Sequence, residues 1–240
     1  MYDTNNPYAS WGTIASEAAE SDRARFIRLT YMHLAGAIAL FVGLEALLLS
    51  TPAGEALARL MMGTRWSWMI VLGAFVGVSW LANTWAQSAA SKGMQYAGLV
   101  LYIVAEAIVF VPLLYVATNY ADSSVLPTAG FLTVLIFGGL TFIVFMTGAD
   151  FSFLKTGLSL AGLVALALIA CSILFGFNLG VFFFIAMIAF AGGYILYDTS
   201  NVLHHYRTEQ YVAASLALFA SVALMFWYIV QLVMSLTSRD

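Results

Sequence analysis

Charge is what this sequence has least of. Only 9% of its 240 residues are Asp, Glu, Lys or Arg, and only Lys92 and Lys155 are lysines. Soluble domains carry roughly 25% charged and roughly 45–50% apolar residues, whereas 62% of this chain is hydrophobic. A soluble core cannot absorb that excess, because a chain of this size still needs a polar surface. Nor does any Lys/Arg run exist that would follow a phosphate backbone, so nucleic acid is excluded as a partner. The one cysteine, Cys171, has no intramolecular disulfide partner and reads as a packed thiol in an apolar run. The polar stretch Met1 to Asp22 lacks the basic segment and short apolar core of a cleavable signal. The first apolar run is therefore expected to persist and to act as the insertion signal.

What the chain has in quantity is long apolar runs. A helix crossing about 30 Å of hydrocarbon needs roughly 20 apolar residues. Seven runs satisfy that: Ile27–Ser50, Trp66–Ser88, Gln95–Thr118, Pro127–Thr147, Phe153–Phe175, Leu179–Val202 and Tyr211–Ser235. The fold class is therefore all-α, a polytopic membrane protein with seven transmembrane helices; six spans plus a re-entrant hairpin is the alternative. Residues 1–25 form a polar tail and residues 26–236 the transmembrane domain. Gly176, Phe177 and Asn178 leave only a tight turn between the fifth and sixth runs. Pro112 and Pro127 kink or start helices, and Trp66 and Trp68 stand where an interfacial belt places them.

Orientation follows from the cations. Arg23, Arg25, Arg28, Lys92, Lys155 and Arg207 fall on the N-terminal side, against Arg59, Arg65 and Arg239 opposite. The N-terminus is expected in the cytoplasm and the C-terminus outside. The short tail suits a bacterial inner membrane.

Charged side chains inside a span cost at least about 2.5–3.5 kcal/mol each, so each asks for a reason. Three acids qualify: Glu45, Glu106 and Asp198. Rise arithmetic puts them about 27, 16 and 28 Å along their runs, near the outer face, the midplane and the inner face respectively. Acids at three depths suggest a cation path, because carboxylate oxygens suit Ca²⁺ and other hard cations. The alternative is that Glu45 and Asp198 snorkel and Glu106 is a hydrogen-bonded core acid. His33, Asn83, Gln87, His204 and His205 share the inner level with Asp198, although the last two histidines also read as a solvated helix end.

The stretch Gly193-Tyr-Ile-Leu-Tyr-Asp-Thr199, with Val202 and Tyr206 after it, resembles the transmembrane Bax inhibitor motif family. So does Thr147 through Asp150-Phe-Ser-Phe-Leu154, and the order of the seven runs matches from about Arg25 to Val233. The resemblance implies seven helices with the seventh packed inside the other six, and a pH-sensitive Ca²⁺ leak. It also implies, for some members, links to membrane proteases or to suppression of cell death. In that family a carboxylate on the sixth span shares a proton with one on the seventh, as two close acids do. Asp198, following Tyr197, matches the first. The second site departs: Leu218-Phe-Ala-Ser221 stands where the family has Leu-Tyr-Leu-Asp, and a serine carries no charge. Glu106 is the residue expected to supply the missing carboxylate beside Ser221.

Enzymatic readings find no anchor. Neither lysine lies in a span to carry a retinal Schiff base, and no zincin, nucleophile-elbow or phosphate-loop pattern occurs. An intramembrane aspartyl protease needs a second intramembrane Asp, and Asp150 lies in a loop. The expectation is a cation-permeation protein without cofactor, a Ca²⁺ leak modulated by protonation, with Asp198 and Glu106 meeting the ion transiently. The alternative is a non-transporting protein that modulates a membrane protease or a stress or cell-death pathway through its N-terminal tail.

Overall fold

The computed structural model describes residues 12–88 and 91–237, so Arg239 and most of the polar tail lie outside the described residues. The chain forms α1 (Glu20–Leu49), α2 (Pro52–Met62), α3 (Arg65–Ala86), α4 (Lys92–Tyr120), α5 (Val125–Thr147), α6 (Leu154–Phe175), α7 (Gly180–His204) and α8 (Tyr211–Thr237). Seven of these are long and apolar enough to cross a membrane. The chain is an all-α polytopic membrane protein.

The additional helix, α2, carries no span-length run and went unread in the sequence. Pro52 occupies its first turn, where a missing N–H costs nothing. Ala58 and Met61 are buried, and the helix packs against α1, α3 and α4. Glu55 and Arg59 form an exposed i,i+4 ion pair at 2.5 Å. Eleven residues cannot span the bilayer, so α2 bridges two spans.

Local chemistry sets the other boundaries. Thr64 Oγ1 accepts the Ser67 N–H at 3.0 Å and caps α3. Gly176 closes α6 at φ +73°, a conformation that costs glycine little, and α7 begins within four residues. α1 starts at Glu20, inside the segment assigned to the polar tail.

The seventh span, α8, packs against α1, α3, α4, α5 and α7. Half of its apolar stretch is buried, but α4 is buried to 56%. The centre is therefore shared by two helices. Phe41, Phe110, Tyr102 and Phe219 interlock there, with Phe41 and Phe110 edge to face at 5.0 Å. α6 packs on α7 and α3 and leaves most of its surface outward. Cys171 is consequently exposed, which corrects its reading as a packed thiol.

Ahead of α1, residues 12–18 lie against the turn between α7 and α8. Ala15 N–H donates to the Tyr206 carbonyl at 2.9 Å and Thr208 N–H to the Thr13 carbonyl at 3.0 Å. Ala15 is fully buried. This strap closes the end of the bundle where Arg23, Arg25, Lys92, Lys155 and Arg207 gather.

Helices α3 and α4 meet backbone to backbone at Gly98, where a Cβ would stand 2.5 Å from the Ala82 carbonyl oxygen and 2.6 Å from the Ala86 nitrogen. Gly98→Ala is expected to lower stability by about 1–3 kcal/mol through overpacking. Gly36→Ala, where nothing lies within 4 Å, should be neutral or stabilising by about 0.5–1 kcal/mol. Thermal unfolding in detergent checks both, and equal Tm values would contradict the close approach.

Candidate functional site

Helices α7 and α8 run antiparallel and are joined only by residues 205–210. That hairpin brings two polar residues together inside an apolar core. Ser221 Oγ–H donates to Asp198 Oδ2 at 2.5 Å. Both residues are buried, among Ile195, Val202, Leu218 and Phe219. Rise arithmetic had separated them, with Asp198 at the inner face and Ser221 at mid-depth. It counts each helix from its own start and ignores tilt and offset, so the structure corrects it.

Tyr102 of α4 enters from the third side. It packs edge to face on Phe219 at 6.1 Å and lies within electrostatic range of both Glu106, one turn along its own helix, and Asp198. Tyr194 and Tyr206 are within that range too. A polar strip thus runs from Asp198 and Ser221 through Tyr102 to Glu106, walled by aromatic rings. Among the described residues Glu106 Oε2 has no hydrogen-bond partner. The carboxylate expected beside Ser221 therefore meets Tyr102 instead, and Ser221 itself satisfies Asp198.

Glu45 of α1 is buried at 4% exposure, and neither of its carboxylate oxygens finds a partner among the described residues. All three intramembrane acids thus turn into protein, away from lipid. Asp198 and Glu106 both lie within electrostatic range of Tyr102, whereas no hydrogen bond or ion pair among the described residues joins Glu45 to either. Among the described residues no cationic side chain pairs with any of the three.

The expected supporting residues divide. Ser221 is in the site, and Tyr197 lines a cavity of about 410 Å³ together with Lys155, Asn201, His205, Tyr206 and Gln210. His33 and Asn83 are not in the site. His33 Nδ1–H donates to the Leu29 carbonyl at 2.7 Å and Nε2 lies 2.9 Å from the Tyr96 hydroxyl. Its ring packs 5.1 Å from Tyr211. Asn83 Nδ2–H donates to Ser79 of its own helix. Shared depth did not mean a shared face.

Sequence reasoning quoted Asp150 but gave it no role. Its Oδ1 accepts the Ser152 N–H at 2.8 Å and the Ser200 hydroxyl at 3.2 Å, while His205 Nε2 approaches Oδ2 at 3.2 Å. Phe151 N–H donates to Ser200 Oγ at 2.8 Å. The loop after α5 is latched to the end of α7, one turn from Asp198. The Ser152 N–H chiefly, then the Ser152 and His205 side chains, hold the Asp150 carboxyl down at about 2 against partial desolvation. Asp followed two residues later by Ser is a turn signal legible in sequence. His205, read as a solvated helix end, is engaged by this loop.

Ca²⁺ as a resident ion takes six to eight oxygen ligands. Among the described residues no group of three or more His, Cys, Asp or Glu is placed to hold a metal. One carboxylate, one hydroxyl and a second carboxylate near Tyr102 fall short of such a cage.

The family described as inhibitor of apoptosis-promoting Bax1 matches residues 23–239. Among curated proteins, Bax inhibitor 1 of Schizosaccharomyces pombe is 28% identical over 245 residues, covering 95% of this chain and 83% of the yeast protein. No solved structure matches the chain.

Ser221→Ala removes the donor to a buried carboxylate and is expected to cost about 1–3 kcal/mol, read as a lower Tm; an unchanged Tm would mean the bond contributes nothing. For Asp150, a depressed folded pKa adds stability that is present above its ordinary 3.8 and is lost as pH falls through about 2. Hydrogen exchange at residues 148–153 should accelerate in that acid window, and Asp150→Asn should show the same acceleration already at neutral pH.

Proposed function

The chain belongs to the Bax inhibitor family of integral membrane proteins, and on that premise we propose that it conducts cations, as a Ca²⁺ leak modulated by protonation of Asp198. The observation that carries this reading is the pair of buried carboxylates, Asp198 and Glu106, set in the α4–α7–α8 core without a countercharge. An ion pair would neutralise them permanently. The Ser221 hydroxyl supplies a hydrogen bond and the phenols of Tyr102, Tyr194 and Tyr206 lie near Asp198, which leaves the carboxylates free to take a proton or a cation.

In this reading a cation enters from the cavity lined by Tyr197, Asn201 and Tyr206 and exchanges with the proton at Asp198. The step to Glu106 passes the Tyr102 hydroxyl, and Glu45, buried on α1 toward the opposite end, extends the file. Protonation removes the negative charge that attracts the ion and reverses the hydrogen bond, since a protonated carboxyl can donate to Ser221 Oγ. The relation of α7 to α8 therefore responds to pH through a single bond. The proposal assigns no catalytic chemistry and no cofactor: the protein is a conductor, not an enzyme.

The clustering of Arg23, Arg25, Arg28, Lys92, Lys155 and Arg207 at one end supports a cytoplasmic N-terminus with the C-terminus outside. We place the protein in a bacterial inner membrane. A second reading, an interaction protein acting on a membrane protease or a stress or cell-death pathway, draws on the strap of residues 12–18.

Ca²⁺ flux in proteoliposomes tests the proposal. Flux by the wild-type protein should vary with pH, and Asp198→Asn should abolish that variation and change the rate by roughly tenfold, the effect of about 1.4 kcal/mol at the barrier. Ser221→Asp should steepen the response, because two close carboxylates share a proton. Equal, pH-independent leakage by wild type and Asp198→Asn would refute the gating, and absent flux with a co-purifying partner would favour the second reading.

A further inference from the structure

At the end of the bundle opposite the strap, the start of α3, the end of α4 and the end of α8 stand apart around a crevice of about 1030 Å³. Its apolar wall includes Trp68 and Trp227, stacked at 6.2 Å with an interplanar angle of 11°, together with Met234. Two charged residues of opposite sign line the same space, Arg65 and Asp122.

Neither charge is spent on the other. Arg65 Nη1–H donates to the Leu174 carbonyl at 3.1 Å, and Asp122 Oδ1 accepts the Ser124 N–H at 2.8 Å. Among the described residues no ion pair involves either one. Isolated opposite charges lining one cavity would lower their energy by approaching each other. The crevice keeps them apart, with an apolar shaft beneath.

We propose that this crevice binds one phospholipid with a primary-amine headgroup, phosphatidylethanolamine. The acyl chain lies along Trp68, Trp227 and Met234. The phosphate meets the Arg65 guanidinium, whose planar fork suits its oxygens. The ammonium meets the Asp122 carboxylate with its N–H donors. Of phosphatidylethanolamine, phosphatidylcholine and phosphatidylglycerol, only the first brings both a phosphate and ammonium N–H donors. A phosphatidylglycerol headgroup brings no cation to Asp122, and the quaternary ammonium of phosphatidylcholine brings no N–H. Were the tryptophans the selective element, choline would be favoured through its attraction to the indole face, so the headgroup preference reports which residues read the lipid.

Native mass spectrometry of the full chain, delipidated and then exposed to equimolar phosphatidylethanolamine, phosphatidylcholine and phosphatidylglycerol, tests the assignment. The wild-type protein is expected to retain phosphatidylethanolamine about tenfold over the other two, a ratio one charge-assisted hydrogen bond supplies. Asp122→Asn should erase that preference while some lipid is still retained, and Arg65→Gln should weaken all three alike. Both side chains are exposed, so Tm should stay unchanged, and Met234→Trp, which fills the shaft, gives an independent loss of retention. Equal retention of the three lipids by the wild type, a preference for phosphatidylcholine, or a preference that survives Asp122→Asn would each overturn the proposal. Ca²⁺ flux need not change in any of these variants, so this result stands apart from the test of conduction.

Discussion

A carboxylate held between helices in a bilayer must find its hydrogen bonds within the protein, because hydrocarbon offers none. For Asp198 that demand is met by one short bond from Ser221. It ties the last two spans together at a fixed height. Apolar side chains cannot set such a height alone, since a leucine is as content against lipid as against another helix. The Ser221–Asp198 bond thus fixes the register of α7 on α8. Tyr102, Phe219 and Glu106 take their positions from the surface those two helices make.

The two ends of the bundle are built on different terms. At the end bearing Arg23, Arg25, Arg207 and both lysines, polar contacts between distant segments close the structure: the strap on Tyr206 and Thr208, Asp150 on Ser200 and His205, and Lys92 on Glu209 at 3.0 Å. These bonds lie at or outside the membrane boundary, where water competes and each is individually weak. Together they cover the approach to Asp198. At the other end α2 bridges two spans and α6 stays peripheral, so the helices diverge and leave an open crevice. One end is arranged for closure and the other for an occupant.

Several readings from sequence met the structure unevenly, for identifiable reasons. Asp198 and Ser221 were both singled out from their motifs, yet helix-rise arithmetic placed them at different levels, because it cannot see tilt. Glu106 was matched to Ser221 by height, and the structure gives it to Tyr102, four residues away on its own helix. His33 and Asn83 shared a level with Asp198 but face other neighbours. Cys171 looked like core in an apolar run, although in a membrane protein an apolar run says nothing about which side meets protein. Helix α2 escaped notice because eleven amphipathic residues do not resemble a span.

Composition and the lengths of the apolar runs determined that this chain lives in lipid, where its candidate spans lie and which residues are costly enough there to need a purpose. Those properties follow from the transfer of side chains out of water, which is local and additive along the sequence. Which acid meets which partner, which helices take the centre and where the bundle stays open depend on rotations and tilts of spans about one another. No single segment contains that information, since it arises only when helices distant in sequence come into contact.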